Sequence, residues 1–155
     1  MGKIYVAYGS NLNIRQMSQR CPGAELLATG YLKDWILLYR GGSRCGGVAT
    51  IQRRKGYNVP VALWSITESD ELELDRYEGY PWLYKKHYVM VHLKGWQRRV
   101  RGMAYIMTPV FSKPAVPGKY YIETIREGYR NCKLEMEYLY ASLEVNLSET
   151  KTERH

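Results

Sequence analysis

The segment Tyr5-Val6-Ala7-Tyr8-Gly9-Ser10-Asn11-Leu12 leads the chain from its first predicted strand into a turn, and this turn decides how the N-terminal part of the fold is arranged. Residues 3–8 alternate with the period of two that is typical of a strand. Gly9-Ser10-Asn11 interrupts that pattern, and Asn13 with Gln16 three residues later has the signature of a capping box at a helix N-terminus. The segment therefore predicts a strand, a tight turn and a short helix.

A turn of this kind brings several backbone N–H groups into a small space. Such a group of donors is a natural cradle for a carboxylate or an oxyanion. The alternative is an ordinary strand-to-helix turn, in which Gly9 and Asn11 supply only backbone freedom. The motif by itself leaves both interpretations open.

A second segment, Leu74-Asp75-Arg76-Tyr77-Glu78-Gly79-Tyr80, lies at the predicted end of a helix. A capping signature at Thr67 predicts where this helix begins, and the glycine and proline after Glu78 predict where it ends. Glu78 then shares a helix face with Leu74, and aromatic neighbours are expected to withdraw its carboxyl from water: Tyr77, Tyr80 and Trp82. Desolvation raises the pKa of a carboxyl and makes it a better base. The alternative is a solvated acid, although a negative charge at this end opposes the helix dipole.

The rest of the chain is rich in extended segments, with helices inserted irregularly. Strands are predicted at residues 25–39, 46–52, 59–66, 84–93 and 98–107, the last two joined by a loop near residues 94–95. A proline-containing loop at residues 109–117 precedes helices at residues 120–129 and 134–147. Because regular βαβ alternation is missing, the pattern predicts an α+β fold, a small mixed or antiparallel β-barrel with flanking helices. Residues 1–147 are expected to form a single domain, and residues 148–155 a polar, frayed tail.

The composition is that of one globular domain. The chain has 155 residues, of which 45% are hydrophobic and 25% charged. It contains 15 tyrosines and 4 tryptophans but a single phenylalanine. Because tyrosine has an apolar body and a polar tip, this bias suits a polar-lined cavity. It suits a strand-rich fold equally well.

Several features of the sequence argue against other classes of protein. The net charge is +8, but the basic residues occur in short scattered groups rather than in the patch or motif of a nucleic-acid-binding protein. Three cysteines without CxxC spacing, and the lack of a signal peptide, predict a cytoplasmic protein. No stretch approaches the roughly 20 apolar residues that span a bilayer. The histidines show no spacing typical of metal ligands, so neither a metal nor another cofactor is expected: His87, His92 and His155.

Taken together, three motifs resemble the signature of the γ-glutamylcyclotransferase-like family. They are Tyr8-Gly9-Ser10-Asn11-Leu12, Leu74-Asp75-x-x-Glu78-Gly79 and Tyr105-Ile106-Met107, and the resemblance extends from Tyr5 to about Tyr129. It implies a small β-barrel with flanking helices and a cavity at one end. It also implies the chemistry of the family, in which the α-amine of a γ-glutamyl group attacks its own side-chain carbonyl. The products are 5-oxoproline and a free amine or amino acid.

The resemblance also implies roles for individual residues. Glu78 matches the general base of the family. The first motif matches the loop whose backbone N–H groups hold the substrate: Tyr8, Gly9, Ser10, Asn11 and Leu12. Tyr84 and Tyr105 match tyrosines that line the pocket. The expected partner is a small γ-glutamyl substrate rather than a nucleic acid or a membrane, a homodimer is compatible with this role, and residues 40–45 and 81–86 carry no recognisable signal for the leaving group.

Three other functions remain open at the level of sequence. An amidase or hydrolase would use Ser10 as its nucleophile, which requires a nearby base, and no histidine stands with Ser10 in a recognisable motif. A non-catalytic protein of the same fold would bind a small anion, although the presence of Glu78 argues against it. A nucleic-acid-binding module is suggested only by the charge and the aromatic content.

Overall fold

The computed structural model describes residues 2–43, 46–93 and 98–153. Within these residues, strands and helices follow one another in this order: β1 (Lys3–Ala7), α1 (Ile14–Arg20), β2 (Glu25–Ser43), β3 (Gly46–Ile66), α2 (Glu68–Glu78), β4 (Tyr84–Leu93), β5 (Arg99–Met107), α3 (Lys119–Asn131) and α4 (Met136–Glu153). Short 3-10 helices lie at Ser10–Leu12 and Pro109–Phe111. None of the helices in these ranges has the length and apolar character needed to cross a bilayer. The predicted loop at residues 94–95, Cys45 and His155 lie outside the described residues.

The strands close into a barrel in the order β1-β3-β2-β4-β5. β1 pairs antiparallel with β3, and it pairs parallel with β5 where Tyr5 lies opposite Met103. β2 pairs antiparallel with both β3 and β4, and β4 pairs antiparallel with β5. The sheet is therefore mixed, and the predicted α+β class with a small barrel and flanking helices is confirmed.

β2 and β3 are longer than the predicted strands. Residues 53–58, which separate two predicted strands, belong to β3, and β2 continues through Ser43. The pairing shifts its register around Asp34, which has a positive φ of 63° and whose carboxylate accepts the N–H of Gly56 at 3.0 Å. A bulge of this kind interrupts the alternation of side chains. The alternating pattern therefore divided β3 into two predicted strands opposite this bulge.

The predicted boundaries of α2 are confirmed. The hydroxyl of Thr67 accepts the N–H of Asp70 at 3.0 Å, and the carboxylate of Asp70 accepts the N–H of Thr67 at 3.0 Å, so both halves of a capping box form. Gly79 follows the helix with a φ of 64°, in the left-handed region that favours glycine. Glu78 is consequently the last residue of α2.

The start of α1 agrees with the predicted N-cap but not with a full capping box. The side-chain oxygen of Asn13 accepts the N–H of Gln16 at 3.1 Å. The N–H of Asn13 itself donates to the carbonyl of Ser10 at 3.0 Å. That N–H is thus used to close the 3-10 turn, and the side chain of Gln16 does not cap it.

The predicted fraying of the C-terminal tail is wrong for residues 148–153, which continue α4. Glu149 forms ion pairs with Arg40 at 2.5 Å and with Arg54 at 2.9 Å, and Thr150 is buried. Contacts with the barrel strands therefore stabilise a helical segment whose polar sequence predicted an exposed tail.

α3 packs directly on the 3-10 turn that follows β1. A Cβ atom placed on Gly128 would lie 2.7 Å from the amide nitrogen of Asn13 and 2.7 Å from the carbonyl carbon and Cβ of Leu12. The side-chain amide of Asn13 also donates to the carbonyl of Thr124 and to the carboxylate of Glu127, both at 3.1 Å. Glycine thus permits a close approach that holds the turn against α3.

We expect Gly128→Ala to destabilise the protein by roughly 1–3 kcal/mol, although alanine has the higher helix propensity. The added methyl group would overlap backbone atoms that cannot move without shifting the turn. Urea denaturation followed by circular dichroism measures the change in the free energy of unfolding. The control is Arg130→Ala, at an exposed position of the same helix, which should change it by less than about 0.5 kcal/mol. A Gly128→Ala protein as stable as the wild type would contradict the close packing.

Candidate active site

A cavity of about 270 Å³ lies at the end of the barrel where β1 leads into the 3-10 turn. Its wall includes all the predicted site residues except Leu12, namely Tyr8, Gly9, Ser10, Asn11, Glu78, Tyr84 and Tyr105. These residues come from the turn, the end of α2, the start of β4 and the end of β5. Closure of the barrel therefore brings together segments that are far apart in the chain.

Leu12 lies apart from the other predicted site residues, because it is fully buried in the core and does not line the cavity. Successive residues of a 3-10 helix are rotated by about 120°, so a turn that presents Ser10 and Asn11 to the cavity directs Leu12 elsewhere. The N–H of Leu12 donates to the carbonyl of Gly9 at 3.0 Å and is not free for a ligand. The structure thus gives Leu12 a packing role instead of the expected substrate contact.

The turn offers backbone donors at the cavity. In the ranges that the structure describes, the N–H groups of Ser10 and Asn11 have no acceptor, and both residues line the cavity. Adjacent unpaired N–H groups at the start of a helical turn can hold a carboxylate or a developing oxyanion. The arrangement is compatible with the cradle interpretation, which the motif by itself leaves open beside an ordinary strand-to-helix turn.

Among the described residues, Glu78 is the one acidic residue that lines the cavity. Burial raises the pKa of its carboxyl from 4.5 to about 8, although the positive charge of Arg20 acts in the opposite direction. Part of the residue remains accessible to solvent at the cavity. The carboxyl is therefore withdrawn from bulk water but can be reached by a ligand, as a general base must be.

The aromatic residues around this carboxyl differ from those predicted. Trp82 is 79% exposed and Tyr80 is 38% exposed, and neither lines the cavity. Tyr77 does line it, together with Tyr5 and Tyr121, which were not identified as site residues from the sequence. Tyr5 and Tyr77 lie within the two segments that carry the motifs, so a place in the cavity wall could have been inferred for both. Tyr121 has no comparable signal, because it reaches the cavity from α3.

Hydrogen bonds to the backbone hold several tyrosine hydroxyls of the wall in place. The hydroxyl of Tyr8 donates to the carbonyl of Tyr105 at 2.5 Å, and that of Tyr84 donates to the carbonyl of Ala49 at 2.6 Å. The hydroxyl of Tyr121 accepts the N–H of Ala49 at 2.9 Å. Burial raises the pKa of Tyr8, Tyr84 and Tyr121, so these phenols remain neutral near pH 7. They give the cavity a polar but uncharged wall.

Asp75, in the same motif as Glu78, supports the wall from outside the cavity. Its carboxylate accepts a hydrogen bond from the hydroxyl of Tyr105 at 2.6 Å and forms an ion pair with Lys86 at 3.0 Å. Lys86 also pairs with Glu71 at 2.7 Å. Asp75 therefore connects α2 to β5 and fixes the ring of Tyr105, which explains a motif residue that the sequence left without a role.

The hydroxyl of Ser10 is hydrogen-bonded to a tyrosine rather than to a base. This hydrogen bond, shared with the hydroxyl of Tyr77, is 2.8 Å long, and no histidine in the described part of the chain lines the cavity. A nucleophilic serine needs an adjacent base, so the arrangement favours a binding role for Ser10. In the same described ranges, His, Cys, Asp and Glu side chains form no group of three or more that could hold a metal ion.

Comparisons with known proteins agree with this geometry. A sequence profile of the family described as "Gamma-glutamyl cyclotransferase, AIG2-like" matches residues 5–125. Curated proteins named gamma-glutamylcyclotransferase, from Homo sapiens and Mus musculus, are each 30% identical to the chain, and the alignments cover 87% of this chain and 74% of the relative. A solved structure named "Gamma-glutamyl cyclotransferase" has a TM-score of 0.80 at 29% identity, with 88% of this chain and 83% of that chain covered.

A more distant structure shows the same fold. YkqA from Bacillus subtilis is 18% identical, with a TM-score of 0.72 over 99% of this chain and 53% of that chain. The part of the chain matched by the profile includes the turn after β1, Glu78 and every tyrosine that lines the cavity. The chain belongs to the γ-glutamyl cyclotransferase, AIG2-like family.

Proposed function

We propose that the protein converts a small γ-glutamyl amine or γ-glutamyl amino acid to 5-oxoproline and the free amine or amino acid. The observation that carries this proposal is the position of Glu78, a carboxyl with a pKa of about 8, in the same cavity as the N–H groups of Ser10 and Asn11, which have no acceptor among the described residues. Intramolecular aminolysis requires a base and a means of holding an anion. Glu78 can serve as the base and the N–H groups of Ser10 and Asn11 can hold the anion, and all three residues line the same cavity.

Glu78 suits the proton transfer that begins this reaction. The α-amine of the substrate cannot attack while it is an ammonium group. The pKa of this ammonium lies above 7, and a carboxyl with a pKa of about 8 is much closer to it than an ordinary glutamate at about 4.3. The proton transfer therefore costs less free energy than it would with an ordinary carboxylate. The neutral amine then attacks the γ-carbonyl carbon, a C–N bond forms, and the carbonyl electron pair moves onto oxygen.

The second half of the reaction returns protons to the leaving group. As the tetrahedral oxyanion collapses, the C–N bond to the leaving nitrogen breaks. Over the whole reaction the attacking nitrogen loses two protons and the leaving nitrogen gains two, so one carboxyl that accepts and releases protons is sufficient. The donors at Ser10 and Asn11 would hold the substrate carboxylate or the oxyanion. The uncharged walls would confine the substrate to the conformer that cyclises.

We also propose that the enzyme works in the cytoplasm. Cys21 and Cys132 are buried free thiols, and burial raises the pKa of each to about 11. Near pH 7 these thiols are therefore protonated and weakly reactive. Unpaired cysteines of this kind are compatible with a reducing compartment.

We expect Glu78→Gln to lower kcat by 10²–10⁴-fold, because the amide retains the shape of the side chain but cannot accept the proton. The assay is release of 5-oxoproline from a panel of γ-glutamyl amino acids and amines. The matched control is Glu73→Gln, an exposed position of the same helix that pairs only with Arg76 among the described residues. It should retain wild-type turnover. If the folded Glu78→Gln protein stays within about threefold of wild type, Glu78 is not the base.

The same substitution should stabilise the protein at alkaline pH, and this test needs no substrate. The folded pKa of Glu78, about 8, lies above its ordinary value of 4.5. Below pH 4.5 the carboxyl is neutral in both states, but as the pH rises towards 8 the unfolded state ionises more readily and the folded state loses stability. The advantage of Glu78→Gln over wild type should therefore grow between pH 5 and 8, to roughly 2–5 kcal/mol, and then level off. Urea denaturation at several pH values measures it, and a constant difference would show that the carboxyl is not desolvated.

Product identity separates cyclisation from hydrolysis. If the attacking group is the α-amine of the substrate, then 5-oxoproline is the product, and acetylation of that amine abolishes the reaction while the γ-amide bond stays intact. If water attacks instead, glutamate is released and the acetylated analogue can still be cleaved. Chromatography of both reaction mixtures distinguishes the two cases. Glutamate as the main product, or comparable cleavage of the acetylated analogue, would refute the proposed reaction.

A further inference from the structure

Arg20, the last residue of α1, lies behind the cavity wall and contacts two elements of the site. Its Nη1 donates a hydrogen bond to the side-chain oxygen of Asn11. Its guanidinium carbon lies 3.4 Å from the centre of the Tyr77 ring, which is a close cation–π contact. The side chain is half-buried, and no carboxylate in the described ranges forms an ion pair with it. The guanidinium is therefore directed at the site itself.

These two contacts continue into the turn and the wall. The side-chain amide of Asn11 donates to the hydroxyl of Tyr5 at 2.8 Å, and the hydroxyl of Tyr77 shares a 2.8 Å hydrogen bond with Ser10. One guanidinium thus orients both Asn11 and the ring that anchors Ser10. These are the turn residues whose N–H groups lack acceptors within the described part of the chain, so the alignment of both donors depends on where Arg20 lies.

Arg20 also determines the charge that Glu78 experiences. Among the described residues, the other titratable groups that line the cavity with this carboxyl are tyrosines: Tyr77 on α2, Tyr105 on β5, Tyr5 on β1, Tyr8 after β1, Tyr84 on β4 and Tyr121 on α3. Burial raises the pKa of the last four of these, so they carry no charge near neutral pH. Among the described residues, Arg20 is the cation that interacts with Glu78, and its charge lowers the pKa that burial raises.

We propose that Arg20 is a positioning residue of this enzyme, which through Asn11 and Tyr77 aligns the substrate-binding turn with the end of α2 that carries Glu78. The inference rests on the proposed function for its consequences in catalysis. The electrostatic coupling of Arg20 to Glu78 is independent of any substrate. A lysine could supply the charge, but it could not both stack flat on Tyr77 and direct an N–H at Asn11, because only a guanidinium is planar with donors at its edge.

The test compares Arg20→Gln, Arg20→Lys and the control Arg15→Gln in the full chain. Arg15 lies on the same helix and is exposed, and the one carboxylate that it approaches in the described ranges is that of Glu127, at 3.8 Å. For wild type, kcat/KM for a γ-glutamyl substrate should rise with pH as Glu78 ionises. Arg20→Gln should move the midpoint of that rise upward by about half a pH unit or more and increase KM roughly tenfold. Arg20→Lys should keep the midpoint near that of wild type but share the increase in KM, and Arg15→Gln should change neither.

Each part of the inference has an outcome that overturns it. An unchanged midpoint in Arg20→Gln would show that Arg20 does not stabilise the ionised base. An unchanged KM in Arg20→Lys would show that the planar contacts do not align the turn. Should Arg20→Gln fail to fold, Arg20→Met takes its place, because a methionine side chain can still cover the Tyr77 ring. The pH midpoint and KM of this variant are then compared with those of wild type.

A second measurement separates failure of this inference from failure of the proposed function. The pH range over which Glu78→Gln gains stability relative to its parent reports the titration of Glu78 without substrate. In an Arg20→Gln background this range should extend about half a pH unit or more higher than in the wild-type background. If it does so while no γ-glutamyl substrate is turned over, the proposed function is wrong but the coupling stands. If the range does not move, the coupling of Arg20 to Glu78 is refuted whatever the activity.

Discussion

Closure of the barrel between β1 and β5 is the constraint on which the rest of the structure depends. These strands pair in parallel where Tyr5 lies opposite Met103, whereas the other neighbouring strands run antiparallel. Closure leaves no open edge between them, and it places the end of β1 between β3 and the end of β5. The chain leaving β1 must then turn at the mouth of the barrel. Gly128 on α3 allows that turn to pack close enough to remain there.

The cavity buries the carboxyl of Glu78, which favours its neutral form, whereas the proposed reaction requires its ionised form. The phenols of Tyr8, Tyr84 and Tyr121 are neutral and their hydroxyls are hydrogen-bonded to the backbone, so they desolvate Glu78 without supplying charge. The pKa of about 8 is the balance between this burial and the opposing charge of Arg20. A base with this value is strong enough to deprotonate an amine, yet it can also release the proton. The local loss of stability that results is typical of functional sites.

Much of the fold and part of the site could be predicted from the sequence. Strand alternation, the Thr67 cap and Gly79 located most elements, because these signals depend on residues within a few positions of one another. The pairing of the Gly9-Ser10-Asn11 turn with Glu78 came from resemblance to a family, since nothing in their spacing brings them together. The bulge at Asp34 and the helical residues 148–153 were not predicted. The bulge depends on the pairing of β2 with β3, and the helical residues depend on ion pairs with distant strands.

The sequence by itself determined the local conformations and the chemical groups: a turn with small residues, a helix that ends at Glu78, and an excess of tyrosine. Only the tertiary structure decided which of those groups share a cavity. Trp82, a near neighbour of Glu78 in sequence, is 79% exposed, whereas Tyr5 and Tyr121 reach the cavity wall from distant elements. The physical reason is that caps and turns are set by contacts along the chain, whereas desolvation is set by which separate segments exclude water from the same volume.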